Sequence, residues 1–140
     1  MKILLLLISI LALILLPIGC ADIGSMIEDT IEDALEGLRA DYTIEVGGTA
    51  GLNFSGRYVV VTAAYDPDTY VVFNTDSYDV SGNVSKQYTI EDAISVGGMF
   101  QKQAVNGTLE VEIWSGGELI DSDETTDPWG AILVTAVKEG

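Results

Sequence analysis

Thr108-Leu109-Glu110-Val111-Glu112-Ile113-Trp114-Ser115-Gly116-Gly117-Glu118-Leu119-Ile120 decides the fold of this chain. Leu109, Val111 and Ile113 alternate with Glu110, Glu112 and Trp114, the period of two that puts apolar side chains on one face of a strand and polar ones on the other. Ser115-Gly116-Gly117 then supplies the residues of a hairpin connection. The same grammar runs backwards to Asp41 and forwards to the C-terminus, rich in β-branched and aromatic residues and punctuated by glycine, asparagine and aspartate. It predicts strands near 42–46, 57–65, 70–74, 84–90, 95–103, 108–114, 118–122 and 130–138, with Tyr65-Asp66-Pro67-Asp68 as a turn. Many short strands and no second helix imply an all-β, immunoglobulin-like antiparallel sandwich over residues 41–140. The glycine pairs Gly47-Gly48 and Gly97-Gly98 read as bulges or turns.

The N-terminus is of another kind. Met1-Lys2 leads into an apolar run from Ile3 to Ile18, relieved only by Ser9 and Pro17, which stops at Gly19-Cys20. A basic start, an apolar stretch and small residues at its end are the parts of an export signal, and the run falls short of the roughly 18 to 20 apolar residues that span a bilayer. Cys20 is the sole cysteine, and with Pro17-Ile18-Gly19 before it the segment resembles the lipobox of secreted lipoproteins, with Leu16 one place earlier than that pattern's leucine. The resemblance implies a signal peptide over 1–19, cleavage before Cys20, and lipid on the new N-terminal cysteine. Cleavage after Ala21 and an uncleaved anchor are the alternatives. All three place the rest of the chain at the extracytoplasmic face of the cell membrane.

Residues 20–40 form a lipid-anchored tether in this scheme. Within it Ile23, Ile27, Ile31, Leu35 and Leu38 recur at helical spacing, with Glu28, Asp29, Glu32, Asp33 and Glu36 between them, so a short amphipathic helix is expected, capped by Ser25. Its apolar stripe packs on the domain, binds a partner, or belongs to a plain tether. The acidic polar face argues against a helix that lies on anionic lipid.

Charge and composition exclude whole classes of function. With 22 acidic against 6 basic residues and a formal net charge of -16, the chain repels phosphate backbones, so no nucleic-acid partner is expected. There is no histidine, and acylation of Cys20 leaves no thiol. The commonest general base, imidazole ligation and the usual hydrolytic triads are therefore missing, and neither an enzyme nor a cofactor is expected. Two acidic groups, Asp66, Asp68, Asp76 and Asp79, and Asp121, Asp123, Glu124 and Asp127, lack the glycine-bearing loop of a dedicated calcium site. They read as solvated strand ends with no metal, weak calcium binding being the alternative.

Three of the four asparagines stand in acceptor sequons, Asn53-Phe54-Ser55, Asn83-Val84-Ser85 and Asn106-Gly107-Thr108. They are candidate glycosylation sites in an exported protein, with turn chemistry as the competing explanation. Trp114 and Trp129 are expected in the core, an exposed aromatic patch being the other reading.

The hairpin quoted above, followed by Thr125-Thr126-Asp127-Pro128-Trp129-Gly130, resembles the closing hairpin of the MmpS-like domain, with Thr43-Ile44-Glu45-Val46-Gly47-Gly48-Thr49-Ala50 resembling that domain's opening strand and glycine turn. MmpS-like domains are small exported β-sandwiches, and the best-known members assist transporters of lipids at the cell envelope. What the resemblance implies is an accessory or binding module of an envelope assembly, with a transporter or another envelope protein as partner. A structural surface lipoprotein, or a weak calcium- or glycan-binding module, is the alternative.

Overall fold

The structure, a computed structural model, describes residues 23–138. The expected signal peptide and Cys20 lie outside the described residues. Among the described residues one helix is followed by eight strands: α1 (Ile23–Leu38), β1 (Ala40–Gly48), β2 (Asn53–Asp66), β3 (Tyr70–Asn83), β4 (Lys86–Ala93), β5 (Ser95–Lys102), β6 (Leu109–Ser115), β7 (Glu118–Thr125) and β8 (Ala131–Val137). All eight strands read from the sequence are present. No helix among the described residues is long and apolar enough to cross a membrane.

The strands form two four-stranded sheets, β4-β1-β6-β7 and β3-β2-β5-β8, with antiparallel pairing, and the protein is an all-β sandwich. β1 lies between β4 and β6, whereas the immunoglobulin order sets the first strand beside the second. Alternation along the strands builds the core. Tyr42, Ile44 and Val46 of β1 and Leu109, Val111 and Ile113 of β6 meet Phe54, Val60, Val96, Phe100, Ile132, Val134 and Ala136 from the other sheet, all buried. The predicted hairpin closes through Gly116 and Gly117, whose φ values of 59° and 78° fit a two-residue turn that only residues tolerant of positive φ can make. The Tyr65–Asp68 turn also forms, stabilised by Asp66, whose Oδ1 accepts the Asp68 and Thr69 amides at 2.9 Å.

Gly97 and Gly98 are neither a bulge nor a turn. They lie in the middle of β5, paired on one side with Val59 and Tyr58 and on the other with Thr135 and Val134. The reason is steric: a Cβ on Gly98 would come within 2.5 Å of the buried Phe100 ring, so the glycine leaves space for that ring against the next strand. Gly48 fits the turn reading, with φ of 121° and no room for a Cβ beside the Thr108 carbonyl.

The chain divides into two compact units, residues 39–62 with 74–138, and the helix together with residues 63–73. The first is the sandwich. In the second, Ile31 and Leu35 of α1 and Ala63 of β2 are buried, and Glu32 Oε1 accepts the Tyr65 amide at 3.2 Å. Helical spacing thus yields one covered apolar stripe, as the sequence suggests. Ser25 is not the cap, because helical turns begin at Ile23 and leave it inside the first turn.

Both open sides of the sandwich are closed by side chains. Between edge strands β3 and β4, the Tyr58 ring stacks on Tyr78 with centroids 5.0 Å apart and meets Tyr88 at 5.5 Å. Burial, followed by a neighbouring phenol, pushes the Tyr58 and Tyr88 hydroxyls up from their ordinary range. Between edge strands β7 and β8, Asp121 Oδ2 accepts the Thr135 amide at 2.8 Å, giving an outward N–H of β8 a partner.

Candidate functional site

Three surfaces of the sandwich offer candidates, each produced by strand alternation or by topology. On the outer face of β4-β1-β6-β7, the residues that do not enter the core are Thr43, Glu45 and Gly47 of β1 and Glu110, Glu112 and Trp114 of β6. Register sets Glu45 directly between Gln87 and Glu112. An open depression of about 500 Å³ results, lined by these carboxylates together with Lys86 and Gln87. Gln87 Nε2 donates to Glu45 at 3.2 Å and Trp114 Nε1 donates to Glu112 at 2.9 Å. The face would favour a cationic or hydroxyl-rich ligand. It has no enclosing cleft of the kind that sets two carboxylates on either side of a scissile bond.

The outer face of β2, β5 and β8 is chemically opposite. Cross-strand register gives the rows Arg57, Met99, Leu133 and Val61, Ser95, Val137, with Gly97 between Val59 and Thr135. Met99, Leu133 and Val137 are 58, 67 and 55% exposed, and Gly97 adds no side chain to the face between Val59 and Thr135. At one margin Arg57 donates through Nε and Nη2 to both carboxylate oxygens of Asp79, at 2.6 and 3.1 Å. That fork raises the guanidinium further above its ordinary value and holds the Asp79 carboxyl below the usual range. Exposed apolar side chains set side by side across two strands, as Met99 and Leu133 are on this acidic chain, are the kind of feature that marks interaction sites.

The third surface is the pole formed by the β1–β2, β3–β4, β5–β6 and β7–β8 connections. Lys102 organises it. Its side chain is fully buried at the end of β5, and Nζ donates to the carbonyls of Gly107 at 2.7 Å, Thr126 at 2.9 Å and Val105 at 3.5 Å. One ammonium thus ties the β5–β6 loop to the β7–β8 loop, satisfying carbonyls that no strand can reach. Sequence reading passed over Lys102, although a signal existed: Val96, Gly98, Phe100 and Lys102 share the inward parity of β5.

Of the sequence-stated site residues, Asn53, Asn83 and Asn106 are exposed and lie on this pole, while Cys20 falls outside the described residues. The acidic groups do not assemble. Asp66 serves its own turn, Asp79 pairs with Arg57, Asp121 holds Thr135, and Asp123 accepts the Glu124 amide at 2.8 Å. Among the described residues no three carboxylates come together as a metal site. The tryptophans are not in the core. Trp129 is 52% exposed with φ of 57° in the β7–β8 loop, and Trp114 is half-buried on the outer face, because its parity along β6 is that of Glu110 and Glu112. Neither a protein-family model nor a curated protein matches this chain.

Proposed function

We propose that this protein is a non-catalytic, lipid-anchored β-sandwich at the extracytoplasmic face of the cell membrane, serving as an accessory or binding module of an envelope assembly. The observation that carries the binding role is the set of apolar side chains Met99, Leu133 and Val137, which stand exposed on the outer face of β5 and β8 in a chain of net charge -16. A solvated, strongly acidic surface has no need of such a patch for solubility, and its chemistry suits an envelope protein that offers an apolar surface rimmed by lysine and arginine. The lipobox-like run ending at Cys20 supports the anchor. The MmpS-like closing hairpin suggests a transporter as the partner, and a sequence without histidine favours binding over catalysis.

A structural surface lipoprotein is the second reading, favoured by the excess of 22 acidic over 6 basic residues. One experiment separates the two: crosslinking and pulldown of the tagged full-length protein from native membranes, beside Leu133→Asp and Cys20→Ser. A binding module recovers a defined envelope protein, loses it in Leu133→Asp at unchanged melting temperature, and leaves the membrane fraction in Cys20→Ser. Recovery of nothing above background, or equal recovery by Leu133→Asp, ends the binding reading in favour of the structural one. Mature protein that begins at Asp22 ends the lipid anchor.

A further inference from the structure

The sequons gain meaning from where the fold puts them. Because neighbouring strands are antiparallel, the connections after β1, β3, β5 and β7 gather at one pole, and backbone bonds lock them together. The Val84 amide donates to the Leu52 carbonyl and the Gln103 amide to the Asn53 carbonyl, both at 2.9 Å, and the Thr49 amide donates to the Thr108 carbonyl at 2.9 Å. Asn53, Asn83 and Asn106, each in a different connection or at its margin, therefore share one end of the sandwich. The chain enters the sandwich at the other end, where Lys138 Nζ donates to the Arg39 carbonyl at 2.9 Å and Ser115 Oγ to the Asp41 carbonyl at 2.8 Å.

Two further observations separate a modification site from turn chemistry. Asparagines kept for turns bond their carboxamides to nearby backbone, whereas among the described residues none of these three exposed side chains has a hydrogen-bond partner. The fourth asparagine, Asn74, has no sequon, and it lies nine residues before Asn83 on the same strand, about 30 Å away at the rise of an extended chain. Sequon and pole go together. The same pole exposes Val105, beside Asn106, and Trp129, apolar surface that carbohydrate would cover.

We propose that Asn53, Asn83 and Asn106 are N-glycosylated and form a carbohydrate cap on the pole remote from Arg39. The donor is a polyprenyl-phosphate-linked oligosaccharide. The asparagine carboxamide nitrogen bonds to the anomeric carbon, the bond from that carbon to the phosphate oxygen breaks, the carrier phosphate leaves with the electron pair, and the amide proton passes to base. The modification stands on the exposure and clustering of the sequons. Its orientation away from the membrane rests on the anchored reading above.

The test is mass spectrometry of the full-length protein purified from its own membranes, reading peptides that carry each asparagine separately from the N-terminal peptide that carries Cys20. Glycan is expected on all three, with one glycan mass lost in each of Asn53→Gln, Asn83→Gln and Asn106→Gln. Thr108→Val should lose the same glycan as Asn106→Gln, and Thr108→Ser should keep it, a pattern that a folding defect does not produce. Glycan on two or three asparagines supports the cap. Glycan on one or none overturns it, whatever the state of Cys20, and a lipid-free Cys20 beside three occupied asparagines removes only the membrane orientation.

Discussion

Lys102 and Gly98, four residues apart on one face of β5, carry the largest residue-scale consequences. The Lys102 ammonium is the donor for part-buried loop carbonyls at Gly107 and Thr126, and a hydrogen bond to a charged group contributes about 1.5–3 kcal/mol. Lys102→Met keeps the aliphatic stem and removes the donor, so it should destabilise the protein by about 2–5 kcal/mol in urea unfolding, and hydrogen exchange should rise first in residues 103–108 and 126–130. An unchanged midpoint would show that water replaces the ammonium. At Gly98 the question is volume. Gly98→Ala drives a methyl to within 2.5 Å of a fully buried ring, and overpacking of this sort costs about 1–3 kcal/mol. The paired control is Gly97→Ala, whose Cβ meets nothing closer than 3.5 Å and should leave the melting temperature nearly unchanged.

At the scale of elements, the β2–β3 hairpin and α1 show how local chemistry shapes a unit of their own. The hairpin turns through Pro67–Thr69, where the Asp66 carboxylate accepts the Thr69 and Asp68 amides and the Thr69 hydroxyl, and those bonds hold its pKa below the ordinary carboxylate value. A carboxyl lowered on folding contributes stability that is present above its unfolded pKa, near 3.9, and lost as the pH falls through its folded value. An NMR titration of Asp66 should therefore give a midpoint below 3.9, and Asp66→Ala should flatten the acid limb of the turn's stability. A midpoint at or above the ordinary value would contradict the bonding described. β7 shows a different device. Asp121 and Asp123 lie opposite Ile113 and Val111, so an edge strand carries carboxylates on its inward parity, which discourages pairing with a foreign strand. β3 is the element least visible in the sequence. Expected to end at Asn74, it runs to Asn83. Thr75, Asp76, Ser77 and Asp79 are exposed on an edge strand, so the polar stretch gave no burial pattern to read, while pairing with β2 supplied the hydrogen bonds that keep it extended.

Over the whole molecule, 22 acidic residues on a small chain repel one another, and salt shortens that repulsion to roughly 10 Å at 0.1 M and 3 Å at 1 M. The melting temperature should rise by several degrees between 20 mM and 500 mM sodium chloride, followed by circular dichroism, with no difference between sodium and low micromolar calcium at matched ionic strength. A calcium-specific rise would reveal a site that the dispersed carboxylates do not suggest. By itself the sequence determined the local choices: strand where apolar and polar residues alternate, helix where isoleucines recur every fourth place, turns at Asp66-Pro67 and Gly116-Gly117, and three sequons. These are legible because period, turn geometry and acceptor motifs each depend on a few adjacent residues. Only the tertiary structure decided that β1 sits between β4 and β6, that Gly98 makes room for Phe100, that Lys102 clasps two loops, that Trp129 faces solvent, and that the sequons share a pole. Each of these depends on residues far apart in the chain. Alternation states that a strand has a face to bury, but the strand that covers it is chosen by complementary volume and backbone pairing across the sandwich.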